Sequence, residues 1–260
     1  MQGYFAMTVA GSDCSGGAGV QADLKTFSRM GVYGLSAITC VVSENSSRVS
    51  NIFEMPSGLV FEQMRLCAEA FEIGVVKTGM LPSAEIVQAV VNFITDNKIR
   101  AVVDPVIVAS AGTRLISDQA VLAMQEELLP RCYIMTPNLD EAALLLGKEQ
   151  ISESEIEICA ANLADKFGCA VLLKGGHLPG EHMRDVLVHH RGVEVYNAKK
   201  INGVNTHGTG CTLSAALASA LALGHELTEA CRMAKEFVGN ALKFSIQTKL
   251  GLMLNHQVIN

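Results

Sequence analysis

The sequence predicts one doubly wound α/β domain, in which a mostly parallel sheet carries helices on both faces. Short runs such as AVVD and AVLLK are continuously apolar, as strands of a parallel sheet are when both faces are covered. These runs alternate along the chain with longer segments of helical periodicity. The 260 residues are 49% hydrophobic and 18% charged, which is enough apolar material for one core without disulfides.

In the first half of the chain, glycine, proline and serine mark the ends of the predicted elements. Gly31 and Gly34 separate the first helix from the second strand. Pro56 opens the second helix, and Ser83 is the expected N-cap of the third. The predicted strands are 5–10, 35–42, 51–55 (an edge strand), 74–77 and 101–104, and the predicted helices are 18–30, 57–71 and 84–96.

In the second half, proline ends two elements: Pro130 ends a helix over 117–129, and Pro137 ends a strand over 133–136. The remaining predicted helices are 138–146, 152–167, 210–223 and 228–244, and the remaining strands are 170–174, 185–189 and 193–197, the last two forming a hairpin. Ligands of such sheets collect at the carboxyl ends of the strands. The chemistry is therefore expected just after each strand.

Charge and composition exclude several classes of function. The formal net charge of −6, without clustered Lys or Arg, argues against nucleic acid as a partner. The N-terminal residues lack the basic region of a signal peptide, and the longest helix-like apolar run, 211–223, is too short to span a membrane. We expect a cytoplasmic protein with no membrane partner.

The eight cysteines, at positions 14, 40, 67, 132, 159, 169, 211 and 231, form no CxxC pair. Most lie inside apolar runs, which is typical of buried thiols in a reducing compartment and not of a secreted scaffold or a zinc site. Cys211 is the expected exception.

A glycine-rich loop, GSDCSGGAG at 11–19, follows the first strand and opens the first helix. Its glycines do not have the spacing of a dinucleotide-binding fingerprint, and no Walker A motif occurs in the chain, which disfavours dehydrogenases and P-loop kinases. Asp23 follows one helical turn later, which favours a ligand-contacting loop over a plain turn.

A second glycine segment, THGTGCT at 206–212, runs into an Ala-rich helix. The backbone amides of Gly208, Gly210 and Cys211 have no acceptor within the helix and lie at its positive end, so they are suited to bind developing phosphoryl charge. We call these three amides the anion cradle. Read alone, the segment also fits an ordinary glycine-capped helix start.

Three strand ends strengthen the interpretation as an anion site. Asp104 follows the strand AVVD and offers a carboxylate to Mg²⁺, directly or through water. Asn138 and Glu141 follow the next strand, where they also fit a capping box. Lys174 places a cation beside two glycines. An anion cradle, carboxylates and a lysine together predict phosphoryl transfer, in which catalysis is mainly positioning and charge neutralisation.

Seven motifs, in order along residues 5–245, resemble the hydroxymethylpyrimidine/phosphomethylpyrimidine kinases of thiamine biosynthesis, in the ribokinase-like superfamily. They are GSDCSGGAGVQADLKTF, VVSEN, KTGML, DPVIVASAG, TPNLDEAALLL, LLKGGH and NTHGTGCTLSAAL. The resemblance implies a three-layer ribokinase-like fold as one domain over 1–260 without a separate lid, ATP with Mg²⁺, and a homodimer. It implies phosphorylation of 4-amino-5-hydroxymethyl-2-methylpyrimidine on its hydroxymethyl group and then on the resulting phosphate.

The resemblance also assigns residues. The pyrimidine pocket falls on Gly11, Asp23, Val42, Glu44, Met80 and Val106, with Lys77 and Thr78 in its wall. The ATP side falls on Asn138, Lys174, Thr206, Gly208 and Gly210, and the Mg²⁺ ligands on Asp104 and Glu141. The catalytic set is Cys211, Gly208, Gly210 and Lys174. Cys211 stands where most of the superfamily carries an Asp.

Cys211 lies in the first turn of a predicted helix, where the pKa of a thiol is expected to be lowered. A thiolate there is a candidate general base for the alcohol in the first phosphorylation. The second phosphorylation needs no base, because its nucleophile is an ionised phosphate. We therefore expect Cys211→Ala to lower the first step more than the second.

Two other functions stay open. Pyridoxal kinases are close relatives, and those specialised for pyridoxal carry a second cysteine at a place occupied here by Ala109 and Ser110. A catalytically silent binding protein is disfavoured by the intact Asp104, Glu141 and Lys174.

The segments 45–50 and 183–200 are candidates to cover the site or to form a dimer interface, and no role is predicted for the tail 251–260.

Overall fold

The computed structural model describes residues 3–108, 115–176 and 181–257, and it has the predicted α/β architecture. Within these residues a nine-stranded sheet has the order β3-β2-β1-β4-β5-β6-β7-β8-β9. The six strands from β2 to β7 in this order are parallel, and β3, β8 and β9 are antiparallel at the two edges. The prediction of a mostly parallel sheet is confirmed.

The strands are β1 (Phe5–Asp13), β2 (Tyr33–Asn45), β3 (Arg48–Glu54), β4 (Ile73–Thr78), β5 (Arg100–Val103), β6 (Ile134–Met135), β7 (Ala170–Leu173), β8 (His182–His189), β9 (Gly192–Lys199), β10 (Ile246–Thr248) and β11 (Gly251–Met253). The helices are α1 (Gly19–Arg29), α2 (Ser57–Ala70), α3 (Ala84–Asp96), α4 (Asp118–Ala123), α5 (Leu139–Leu146), α6 (Ile156–Phe167), α7 (Thr209–Ala222) and α8 (Leu227–Lys243).

Helices cover both faces of the sheet and give the fold three layers. One core joins the sheet to α2 through α6 around Met64, Leu81 and Phe93. The other joins the opposite face to α1, α7 and α8 around Phe27 and Phe237. Because the central strands are buried on both sides, only their ends reach solvent, and the polar side chains at those ends are brought together at one edge of the sheet.

The predicted helix over 117–129 is helical in the structure but is not a regular α-helix along its whole length. It continues from α4 as one π-helical turn, Met124–Leu128, and ends in a 3₁₀ turn, Leu129–Arg131. Pro130 explains the distortion, since its ring cannot donate a hydrogen bond and clashes with the preceding turn.

After α8 the chain forms a hairpin that the sequence did not predict. Strands β10 and β11 pair with each other, and Leu252 also forms a bridge with Val204, just before the second glycine segment. The backbone amide of Asn205 donates to the carbonyl of Leu252 at 2.8 Å. Residues 251–257, part of the tail that had no predicted role, thus lie beside the N-terminus of α7.

The expectation of buried cysteines is only partly met. Cys40, Cys132, Cys159 and Cys231 are buried, but Cys14 is exposed on the first glycine loop. Cys67 and Cys169 are partly exposed, as is Cys211. Among the described helices, none combines the length and apolarity that crossing a bilayer requires.

Candidate active site

A cavity of about 910 Å³ opens at the carboxyl ends of the parallel strands. Thirteen of the predicted site residues line it: Gly11, Val42, Glu44, Met80, Asp104, Val106, Asn138, Glu141, Lys174, Thr206, Gly208, Gly210 and Cys211. The structure therefore brings the predicted pyrimidine residues and the predicted phosphate residues into one space. This follows from the parallel sheet, because residues far apart in sequence meet where its strands end.

Asp104 and Lys174 form the charged centre of this cavity. The Nζ of Lys174 donates to Oδ1 of Asp104 at 3.0 Å, and the hydroxyl of Thr136 donates to the same oxygen at 3.1 Å. A Cβ placed on Gly210 would lie 3.3 Å from Nζ of Lys174 and 3.4 Å from Oδ2 of Asp104. The lysine, the carboxylate and the first turn of α7 thus face the same few ångströms of space.

Asn138 and Glu141 form the capping box of α5. The Oδ1 of Asn138 accepts from the amide of Glu141, and Oε2 of Glu141 accepts from the amide of Asn138, both at 2.8 Å. The capping interpretation is therefore correct, and both residues line the cavity as well. Burial and the charge of Asp104 raise the pKa of Glu141 to about 7, against the opposing effect of Lys174.

The two carboxylates are chemically suited to Mg²⁺. Asp104 and Glu141 supply the oxygen donors that this ion prefers, and they are close enough for the charge of one to affect the pKa of the other. Among the described residues, no three His, Cys, Asp or Glu side chains are grouped to hold a metal by themselves. A pair of carboxylates is what Mg²⁺ uses when substrate phosphates and water complete its shell.

The anion cradle is held against the first glycine loop without clearance. Gly208 is the N-cap of α7 and has a left-handed backbone with φ of +81°. A Cβ at Gly208 would lie 1.8 Å from the carbonyl oxygen of Gly17, so only glycine fits there. The two glycine segments of the sequence are therefore one interlocked structure.

The opposite end of the cavity is suited to a small aromatic ring. Gly11, Val42, Met80 and Val106 provide backbone and apolar surface, and Glu44 provides a carboxylate. Burial and the nearby negative charge of Asp13 raise the pKa of Glu44. A carboxyl group in such a place can accept a hydrogen bond from an aromatic amine and, when protonated, donate one to a ring nitrogen.

A hydrogen bond between Asp13 and His207 joins the two glycine segments, and sequence reasoning had not singled it out. The Oδ2 of Asp13 lies 3.0 Å from Nε2 of His207 and accepts from the amide of Ala18 at 2.8 Å. The hydrogen bond to Asp13 raises the pKa of His207. Both residues stand inside the recognised motifs, but only the folded chain brings them into contact.

Asp23, Lys77 and Thr78, which the resemblance assigns to the pyrimidine pocket or its wall, are not among the residues that line the cavity. Asp23 and Lys77 are fully buried beneath it, with Nζ of Lys77 at 2.8 Å and 2.9 Å from the two carboxylate oxygens. Thr8 donates a further hydrogen bond to Asp23 at 2.5 Å. The physical reason is the helix periodicity, because Asp23 lies on the face of α1 that packs against the sheet.

Cys211 lines the cavity as predicted, but its pKa is raised, not lowered. Burial raises the pKa of the thiol to about 11, and the negative charges of Asp23 and Asp104 act in the same direction. The cation of Lys77 and the amide of Gly19 oppose them and are outweighed. Cys211 is therefore a neutral thiol at physiological pH in the ligand-free protein.

The edge hairpin of β8 and β9 forms a further wall of the cavity. Tyr196 and Lys199 of β9 line it, opposite Lys235 and Gly239 of α8. Of the two roles considered for 183–200, covering the site fits this position.

A partly buried ion pair holds that wall in place. Asp185 pairs with Lys235 and also accepts from the amide of Gly175 at 2.9 Å, directly after Lys174. A Cβ at Gly175 would lie 2.1 Å from the carbonyl oxygen of Arg184. The strand end that carries Lys174 is thus held by β8 and α8.

Comparisons with known proteins confirm the family resemblance of the sequence. A family model described as "Phosphomethylpyrimidine kinase" matches residues 13–256. A hydroxymethylpyrimidine/phosphomethylpyrimidine kinase of Rhizobium meliloti is 40% identical over 247 residues, which cover 95% of this chain and 93% of that protein. The thiamine biosynthesis bifunctional protein ThiED of Geobacter sulfurreducens is 42% identical over 92% of this chain, and there the chain spans 49% of the relative's length.

The fold also matches a solved structure closely. An ADP complex of pyridoxal kinase from Bacillus subtilis superposes with a TM-score of 0.90 at 34% identity, covering 98% of both chains. The central sheet and its flanking helices are therefore arranged as in that pyridoxal kinase.

Proposed function

We propose a function for this chain from its family, since it belongs to the phosphomethylpyrimidine kinases. It phosphorylates 4-amino-5-hydroxymethyl-2-methylpyrimidine and then its monophosphate, with ATP as donor. One observation carries the proposal: Glu44 at one end and Lys174 with the anion cradle at the other line a single cavity. A ring held at the first end presents its substituent to a phosphate bound at the second.

Different residues bind the pyrimidine, the transferring phosphoryl group and Mg²⁺. Glu44 binds the polar edge of the pyrimidine, and Val42, Met80 and Val106 pack against its faces. The transferring phosphoryl group lies between Lys174 and the anion cradle, where cationic and amide donors act on the charge that develops in the transition state. Asp104 and Glu141 would hold Mg²⁺, which neutralises phosphate charge when bound.

In the first reaction the hydroxymethyl oxygen forms a bond to the γ-phosphorus, and the bond from that phosphorus to the β–γ bridging oxygen breaks. The electron pair of that bond leaves with ADP, and the hydroxyl proton passes to a base. In the second reaction a phosphate oxygen is the nucleophile, and no proton has to leave. Cys211 is the candidate base, since it lines the cavity and its own amide is part of the cradle.

Pyridoxal kinase activity is the second candidate function, and the match to the B. subtilis structure favours it. Against it, Ala109 and Ser110 stand where pyridoxal-specialised relatives carry a cysteine; both residues lie outside the part of the chain that the structure describes. We rank the pyrimidine first.

A side-by-side assay of ADP release tests this ranking. The hydroxymethylpyrimidine, its monophosphate, pyridoxal, pyridoxine and pyridoxamine are each offered with ATP and Mg²⁺. We expect turnover of both pyrimidines at rates well above those of the three B6 vitamers. Pyridoxal turnover without pyrimidine turnover reverses the ranking, and tight binding of the pyrimidine without ADP release supports a silent binding protein.

Cys211→Ala tests the thiol as a base. We expect the alcohol step to lose about 100-fold in kcat/KM, the lower end for general-base catalysis, and the phosphate step to lose less than about fivefold. Since the pKa of Cys211 is raised to about 11, its thiolate fraction rises about tenfold per pH unit below that value. In the wild type, kcat/KM of the alcohol step divided by kcat/KM of the phosphate step should therefore rise between about pH 7.5 and 9.5. In Cys211→Ala this ratio should stay constant.

Taking the ratio of two reactions of one enzyme cancels the titration of groups that serve both. Equal losses in the two steps, or a wild-type ratio that does not change with pH, count against Cys211 as the base.

The single-domain organisation, a homodimer and a cytoplasmic location remain part of this proposal. Sedimentation of the purified chain at the concentration used for the assay tests the dimer directly.

A further inference from the structure

The C-terminal hairpin leads to a buried histidine behind the anion cradle. His256 is only 6% exposed, and its Nε2 lies 2.9 Å from the hydroxyl oxygen of Thr212 in α7. That hydroxyl lies 2.8 Å from the carbonyl oxygen of Gly208, which also accepts from the amide of Thr212 at 2.9 Å. A continuous chain of contacts therefore runs from the tail to the glycine that starts the cradle.

The direction of these hydrogen bonds follows from counting protons. A threonine hydroxyl has one proton to donate, and the carbonyl of Gly208 can only accept. Thr212 therefore donates to Gly208 and accepts from His256, so the imidazole carries its proton on Nε2. Burial lowers the pKa of His256 to about 4, so the ring is neutral and this tautomer is available at physiological pH.

We propose that His256 is a positioning residue of the anion cradle, acting through Thr212 on the carbonyl of Gly208. This carbonyl belongs to the peptide that joins Gly208 to Thr209, between two of the cradle's three amides. Fixing that peptide plane restricts the directions of the amides on either side of it, because each is joined to it through a single Cα. The glycine itself has a left-handed backbone and little intrinsic preference for this one conformation, so the hydroxyl of Thr212 adds to the restraint that its amide places on the same carbonyl.

The tail is anchored well enough to act as such a restraint. Leu254 is buried in the core that contains α7 and α8, and the amide of Asn255 donates to the carbonyl of Ala241 at 3.0 Å. Met253 lies against Gly17, since a Cβ on that glycine would be 2.8 Å from its terminal carbon. His256 is thus held between a packed helix pair and the interlocked glycine segments.

This inference rests on the proposed kinase function, and the test separates the two. Thr212→Val and His256→Leu each remove one hydrogen-bonding group, whereas Thr212→Ser and His256→Gln retain it. We expect the first two to lower kcat about tenfold, because misdirected amides stabilise the transition state less, with the KM for the pyrimidine changed less than about twofold. The double variant Thr212→Val/His256→Leu should be no slower than the slower single variant, because both break the same chain.

Ser219→Ala is the matched control, since it removes a buried hydroxyl of α7 that donates to the carbonyl of Ala215 at 2.9 Å, far from the cradle. It should lower thermal stability comparably and leave kcat unchanged. A loss of kcat in Ser219→Ala equal to that in Thr212→Val, additive losses in the double variant, or no recovery in Thr212→Ser overturns the proposal.

A readout that needs no turnover completes the test. In ¹⁵N-histidine-labelled wild type, NMR should show His256 neutral with its proton on Nε2, and hydrogen exchange of the amides at 208–211 should quicken in Thr212→Val but not in Ser219→Ala. A proton on Nδ1, or unchanged exchange, refutes the positioning role even if the chain phosphorylates no pyrimidine. If the Nε2 proton and the quickened exchange are both observed but no pyrimidine is turned over, only the proposed substrate is refuted.

Discussion

Gly208→Ala is expected to lower kcat by at least about 100-fold, the effect of losing one preorganised donor to the transition state. The added Cβ would lie 1.8 Å from the carbonyl oxygen of Gly17 and 2.8 Å from its carbon. Both atoms belong to backbone, so they cannot move aside as the end of a flexible side chain can. Either the cradle or the first glycine loop has to shift, and both line the cavity.

The backbone conformation adds a second cost. Alanine at φ of +81° is strained by about 1–2 kcal/mol relative to glycine. Gly224→Ala is the matched control: this glycine follows the other end of α7 with φ of +91°, and nothing lies within 4 Å of its Cβ position. It should lose similar stability from strain and keep full activity, as steady-state kinetics and thermal melts will show. Activity of Gly208→Ala within about tenfold of this control would count against the cradle.

Lys77→Met is expected to lower the free energy of unfolding by about 3–5 kcal/mol, the usual cost of removing one partner of a buried ion pair. Lys77 and Asp23 are both fully buried, so the remaining carboxylate would have neither a counter-ion nor water. Burial already raises the pKa of Asp23 against the effect of Lys77. Without the lysine the carboxyl group is expected to take up a proton on folding, so the loss should be larger at high pH.

A second substitution separates lost charge balance from lost packing. Asp23→Asn/Lys77→Met removes both charges and leaves an amide oxygen to accept from Thr8, so most of the lost stability should return. Lys148→Met, at an exposed ion pair with Glu155, should change stability by less than about 1 kcal/mol. Urea unfolding measures all three; a double variant as unstable as Lys77→Met would mean that packing, not charge, sets the cost.

The strand ends were predictable because they depend on chain topology alone. Asp104, Asn138 and Lys174 each follow an apolar run, and parallel strands must bring such residues to one edge. How deeply a side chain is buried could not be predicted in the same way. Asp23 stands within a recognised motif, yet the motif does not show that its carboxylate points at the sheet and meets Lys77. A charged residue in the apolar strand GVVKT was the one signal of a buried pair.

The pKa of Cys211 and the contacts of the C-terminal hairpin could not be predicted from the sequence. The helix start predicted a lowered pKa for Cys211, but the opposing burial depends on what the fold packs around the sulfur. The hairpin of β10 and β11 has only three residues in each strand and no clear periodicity. Its position is set by contacts with Val204 and Asn205, about fifty residues away in sequence.

The single continuous cavity has a kinetic consequence for a two-step kinase. Under the proposed function, the alcohol and its monophosphate would share one pyrimidine end and one phosphate end, so they would be mutually exclusive occupants and each would compete with the other's phosphorylation. The monophosphate would have to let ADP leave and fresh ATP enter before it reacts. We therefore expect the supply of the alcohol to control the output of diphosphate: while the alcohol is plentiful the monophosphate should accumulate, and the second step should proceed as the alcohol runs out.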